Sequence, residues 1–115
     1  MTGHPADREA LDVGALGAGL LEQARGRANG HASRLVIGGT VQRAVLMALT
    51  AGASLGEHES PPAATFHVLS GRARLYAAGA AEWVVAAGQV VAIPPNRHAV
   101  EALEDSIILL TVALR

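Results

Sequence analysis

The period of the apolar positions changes once along this chain. From about Glu9 to Ala28, Leu11, Leu16, Leu20 and Ala24 recur near helical spacing, with Glu22, Gln23, Arg25 and Arg27 on the other side. That pattern predicts an amphipathic helix, weakened by Gly14, Gly17 and Gly19 and ended by Asn29-Gly30. His31 falls in the loop that follows and reads as a solvated residue. Beyond it, short β-type runs succeed one another at 34–37, 42–51, 55–58, 64–69, 73–77, 82–86, 90–93, 98–103 and 106–114. Turn chemistry separates them: Gly38-Gly39, Gly52, Pro61-Pro62, Ser70-Gly71, Gly79, Gly88, Pro94-Pro95-Asn96 and Glu104-Asp105. Such regular punctuation predicts an antiparallel sandwich or barrel.

Two runs, 44–49 and 107–110, are apolar on both faces, so both sides must be buried. One side packs inside the barrel. The other needs the helix or a second subunit, and a homodimer is expected on this ground. The run 72–76 alternates instead, with Ala73 and Leu75 on one face and Arg72, Arg74 and Tyr76 on the other. The two arginines read as solvated surface, and Trp83, beside two valines, as core or interface.

Composition narrows the picture. At 115 residues the chain suits one domain, divided here into a tail and helix over 1–33 and a barrel over 34–115. Half the residues are apolar but only 3% are aromatic, so Ala, Val, Leu and Ile must fill the interior. A net charge of -1 without a basic cluster argues against nucleic acid. The absence of cysteine excludes disulfides, thiolate nucleophiles and thiolate metal sites. The first residues lack the basic start and apolar stretch of a secretory signal, and no apolar run is long enough to span a bilayer, so a cytoplasmic protein without a membrane partner is expected.

The residues with candidate chemistry lie in two glycine-to-histidine frames. Gly52, His58 and Gly71 form the first, closing on Val68-Leu69-Ser70-Gly71; Gly88, Pro94 and His98 form the second. Residues 34–114 thereby resemble a small cupin, with motifs G-x5-H-x-H-x3-E-x6-G and G-x5-P-x-G-x2-H. The resemblance implies a mostly β fold, an antiparallel cupin β-barrel or jelly roll, preceded here by a short α-helix. In metal-bearing relatives two His and a Glu from the first motif and one His from the second hold the ion. Only His58 and His98 carry over: Ser60 stands for the second His, Ala64 for the Glu and Asn96 for the turn glycine, and the stretch before His98 is one residue shorter.

Strand parity then sorts the neighbours, because residues two apart share a face. With Ala64 inward, Phe66 and Val68 line the barrel, while Thr65, His67 and Leu69 face away. An inward His58 turns Glu57 and Glu59 outward unless a bulge intervenes, and an inward His98 does the same to Glu101 and Ala99. Two imidazoles hold a divalent ion loosely unless other donors complete the shell. The expected function is therefore binding of a small polar or carboxylate-bearing molecule in a pocket at His58, Ser60 and His98, with Phe66 and Met47 also lining it. No cofactor is firmly predicted, a divalent metal being the one candidate. One alternative is a metal-dependent oxygenase, isomerase or lyase using Fe, Mn, Ni or Zn on His58 and His98, with His67 as a third candidate ligand. Another is a structural dimerisation module whose barrel is filled by side chains.

Overall fold

A computed structural model of the chain describes residues 9–58, 61–77, 82–95 and 97–114, with backbone only at Glu57 and His58. The described residues form one helix, α1 (Val13–Arg25), and nine strands: β1 (His31–Ile37), β2 (Gln42–Leu49), β3 (Ser54–His58), β4 (Ala63–Ser70), β5 (Arg72–Tyr76), β6 (Glu82–Ala86), β7 (Val90–Ala92), β8 (His98–Ala102) and β9 (Ser106–Ala113). All pairings are antiparallel. The larger sheet runs β1-β2-β9-β4-β7 and the smaller β3-β8-β5-β6. Apart from the β1–β2 and β5–β6 pairs, consecutive strands alternate between the sheets in jelly-roll order. The β3–β4 connection holding Pro61-Pro62 passes from one sheet to the other, so the double proline belongs to a crossover.

The two-sided apolar runs are buried in two different places. Met47, Leu49 and Ile108 face the interior between the sheets with Phe66, Val68, Leu75 and Val100. Leu46, Ala48 and Ile107 face outward and are covered by Leu20 and Ala24 of α1. The helix therefore supplies the cover for which a second subunit was the other candidate, and these runs no longer argue for a dimer.

α1 is shorter than its apolar pattern predicts. Asp12 caps its start, Oδ1 accepting from the Ala15 N–H at 3.0 Å, and Gly26 ends it, with its N–H on the Gln23 carbonyl. Leu11 lies outside the helix and is exposed. Asn29-Gly30 instead launches β1: Gly30 has φ +73°, and the Asn29 Oδ1 accepts from the His31 N–H. His31 is consequently the first residue of a strand, opposite Leu49, rather than part of a loop. Gly17 allows the helix to sit close, since a Cβ there would stand 2.6 Å from the Ile107 Cγ2.

The sandwich has two unlike ends. At one, the turns at Gly52, Gly71 and Gly88, all with positive φ, are laced together by backbone hydrogen bonds, among them Gly52 N–H to Ala102 O, Leu103 N–H to Arg72 O and Ala87 N–H to Gly71 O. A side chain at Gly71 would collide with the Asp105 carbonyl and with Ser106. Buried Ser106 ties the same end: its Oγ accepts from the Arg72 N–H at 3.0 Å and lies 2.8 Å from the Glu104 carbonyl, to which it donates. Asp105 joins the helix to it, Oδ1 accepting from the Ala51 N–H and Oδ2 from Arg25. The other end carries both proline-bearing crossovers between the sheets, β3 to β4 and β7 to β8. This is the open end.

Candidate functional site at the open end

Because paired residues in adjacent strands share a face, register reveals which side chains form layers across the interior. In the larger sheet the row nearest the open end is Arg43, Val112 and Ala64, followed by Val45, Leu110, Phe66 and Val91, and then by Met47, Ile108 and Val68. In the smaller sheet His58 lies opposite His98, and the next row is Leu55, Val100, Leu75 and Trp83. Trp83 is half-buried against the interior cluster.

The two motif histidines come together through an irregularity. Between Leu55 and His58 three residues of β3 span what two residues of β8 span from Val100 to His98. That bulge, upstream of His58, brings His58 into register with His98. The shorter approach to His98 leaves it on the inward face with Val100 and Ala102, only 3% exposed. Glu101 and Ala99 occupy the opposite face, where Arg74 donates to the Glu101 carboxylate.

The remaining candidates separate by depth and face. Ala64 is buried on the inner face, where it offers no donor atom. Phe66 lies one row deeper, fully buried in the interior cluster, and Met47 a further row down, packed against that cluster. At about 3.3 Å per residue, Met47 sits some 13 Å along β2 from the row of Ala64. The position of β2 in that first row is Arg43, which is exposed. His67 is on the outer face, opposite Leu109 and Val90, so it does not join His98. Ser60 lies outside the described residues.

Three surface concavities are present; Ala64 and Val112 help to line the first, and His98, Phe66 and Met47 line none of the three. One, of about 390 Å³, lies over the open ends of β2, β4 and β9 at Gln42, Thr65 and Thr111. Another, of about 480 Å³, lies by Asn29, Thr50 and Ser54, and a third, of about 360 Å³, by Trp83 and Gln89. Among the described residues no group of three or more His, Cys, Asp or Glu is placed to hold a metal ion. With alanine and serine in the Glu and second His places, the chain does not fit the complete four-ligand set.

Most described arginines elsewhere are engaged. Arg74 bonds Glu82 and Glu101 and lies 4.0 Å from the centre of the Tyr76 ring, Arg72 pairs with Glu104, and Arg25 with Glu22 and Asp105. The arginines of β5 are thus surface ion-pair residues, as their alternation suggests.

Two antiparallel sheets in this order, with a histidine position of β3 in register with one of β8 at the open end, define a small double-stranded β-helix of the jelly-roll class. The cupin-domain family model matches residues 45–113, more than half of the chain. The protein belongs to the cupin family. No functionally curated protein matches the sequence. Among solved structures it is similar to a conserved protein of unknown function from Streptococcus pyogenes, with 24% identity over 94% of this chain and 89% of that one and a TM-score of 0.71. An RmlC-like cupin from Desulfovibrio desulfuricans matches with 24% identity, coverage of 99% and 97%, and a TM-score of 0.67. The DMSP lyase DddQ from Ruegeria pomeroyi matches at 20% identity over 70% of this chain and 45% of that one, with a TM-score of 0.62. At these identities the likeness is one of fold.

Proposed function

We propose that the protein binds a small polar or carboxylate-bearing molecule at the open end, between His58 and His98, with Ser60 contributing from the crossover. The observation that carries this reading is the cross-strand pairing of His58 with a buried, inward His98, above an apolar floor of Val45, Leu110 and Phe66. A neutral imidazole donates one hydrogen bond and accepts another, and a protonated one donates two, which suits a polar or anionic ligand above a greasy surface. Deeper layers are filled by side chains, so the binding volume lies in the first row and at the crossovers. The test is an NMR titration of the full chain with a panel of small carboxylates, alcohols and amides, following the His58 and His98 imidazole signals. At least one class should shift both, and His98→Ala should abolish its binding. A panel that leaves both imidazoles unmoved refutes the proposal.

The runner-up is a metal-dependent enzyme, for which DddQ's name as a lyase on a similar fold is the supporting observation. Elemental analysis of untagged protein separates the two readings. Stoichiometric Fe, Mn, Ni or Zn, lost in His58→Ala, favours the enzyme and removes the metal-free reading. A homodimer in the cytoplasm remains part of the proposal. Support for the dimer comes from Ile37, Val41 and Val90, which stay exposed beyond the helix. No helix among the described residues is long and apolar enough to cross a membrane.

A further inference from the structure

We infer that Arg43 is the anion anchor of this site, and that the ligand is an organic carboxylate whose charged group sits at the mouth while its apolar part rests on Val45, Leu110 and Phe66. This rests on the pocket proposed above and assigns its ligand class.

Three observations converge on Arg43. First, register fixes its face: Arg43 opposes Val112, which opposes Ala64, and Ala64 alternates with inward, fully buried Phe66. The arginine therefore belongs to the inner face of the larger sheet, in the row nearest the open end. Both crossovers start or finish beside this row, since Ile93 N–H bonds the Ala64 carbonyl as the chain leaves for His98, and Ala63 begins β4 just after the crossover from His58.

Second, Arg43 makes no hydrogen bond or ion pair among the described residues, whereas Arg25, Arg72 and Arg74 are each held by carboxylates. An exposed guanidinium at the rim of the inner face, without a carboxylate partner, has its planar set of donors available, and that fork matches a carboxylate in geometry and charge. Third, the described inner face is otherwise free of charge. Its acids lie elsewhere: Glu82 and Glu101 bond Arg74 on the outer face, and Glu104 and Asp105 belong to the laced end. The titratable side chains described with Arg43 toward this end are His98 and, in the crossover that leads to it, the exposed Arg97, and neither brings negative charge. Among the described side chains, an anion finds attraction from both sheets there.

The experiment uses the full chain in buffer with chloride as the sole anion. Short aliphatic and aromatic carboxylates and their primary amides are titrated by calorimetry, with the His98 imidazole followed by NMR. Wild type should bind carboxylates roughly tenfold to a hundredfold more tightly than the matched amides, the range of one charge-assisted contact. Arg43→Gln should erase that gap and leave amide affinity unchanged. Arg43→Lys should restore part of it, and Arg34→Gln, which alters an exposed arginine opposite outward-facing Leu46, should leave it intact. Ligands that move His98 with no gap, or with a gap that survives Arg43→Gln, overturn the role of Arg43 and spare the pocket. Silence of His98 with every probe overturns both.

Discussion

Replacing Gly17 and Gly19 by alanine makes the same chemical change on the same helix and should move stability in opposite directions. Each substitution removes the helix penalty of glycine, about 1 kcal/mol in favour of the folded state. At Gly19 nothing lies within 4 Å of the new Cβ, so that gain should appear nearly whole. At Gly17 the Cβ would lie 2.6 Å from the Ile107 Cγ2 and 3.0 Å from its Cδ1, against the ~3.5 to 4.0 Å at which carbon atoms rest. Ile107 is buried and β-branched, and Cγ2 leaves directly from its Cβ, so relief requires a poor rotamer or a lifted helix. Overpacking of this kind costs about 1 to 3 kcal/mol. Since the propensity gain cancels between the two variants, that cost is also the expected difference between them. Urea unfolding of both proteins reads it directly: with equal slopes, Gly19→Ala should raise the midpoint and Gly17→Ala should lower it or leave it below Gly19→Ala. Adding Gly17→Ala to Ile107→Ala should stabilise, because the obstructing branch is gone. Equal midpoint increases in Gly17→Ala and Gly19→Ala would show that α1 does not seat on β9, and would refute the packing described above.

Further expectations concern the laced end. Ser106→Ala removes the acceptor of the Arg72 N–H from a fully buried site and should cost about 1 to 3 kcal/mol in urea unfolding, with faster exchange of the Arg72 amide. The Ala51 N–H, followed by Arg25, holds the Asp105 carboxyl below the ordinary carboxylate range. A carboxyl with a lowered folded-state pKa contributes stability above its unfolded pKa, near 4, and loses it as the pH falls toward the folded value. Asp105→Asn should therefore flatten the loss of stability below about pH 5. The effect should be modest, since the side chain is 41% exposed.

The strands were legible because glycine and proline mark nearly every boundary, and 82–86 is matched residue for residue by β6. The helix end was misplaced for a physical reason. Asn29-Gly30 has the chemistry of a helix stop, but the same left-handed glycine also serves to enter a strand, and Gly26 had already ended the helix. Parity within a strand was enough to place His67 outward and Glu101 away from His98. It was not enough for the site as a whole. The bulge that brings His58 to His98 is visible only in the pairing of β3 with β8, and Arg43 gains its place from β9 and β4, some 20 to 70 residues further along the chain. A single strand beginning with Gln42-Arg43 looks like any polar strand entrance. Asp105 was likewise indistinguishable from an ordinary turn residue, because its partners Ala51 and Arg25 are remote in sequence.

The unlike ends of the sandwich divide the work of the sequence between inheritance and invention. Changes at Gly71 or Ser106 strike backbone contacts that hold several turns at once, so this end can drift only slowly. The crossovers at the other end adjoin the first inward row, where Ile93 bonds Ala64. Substitutions such as Ser60 and Ala64, or an arginine at position 43, can redefine what that row accepts while the glycine turns keep the scaffold in register. A laboratory seeking a new binder from this chain would randomise the crossovers and the row of Arg43, and leave the glycines alone.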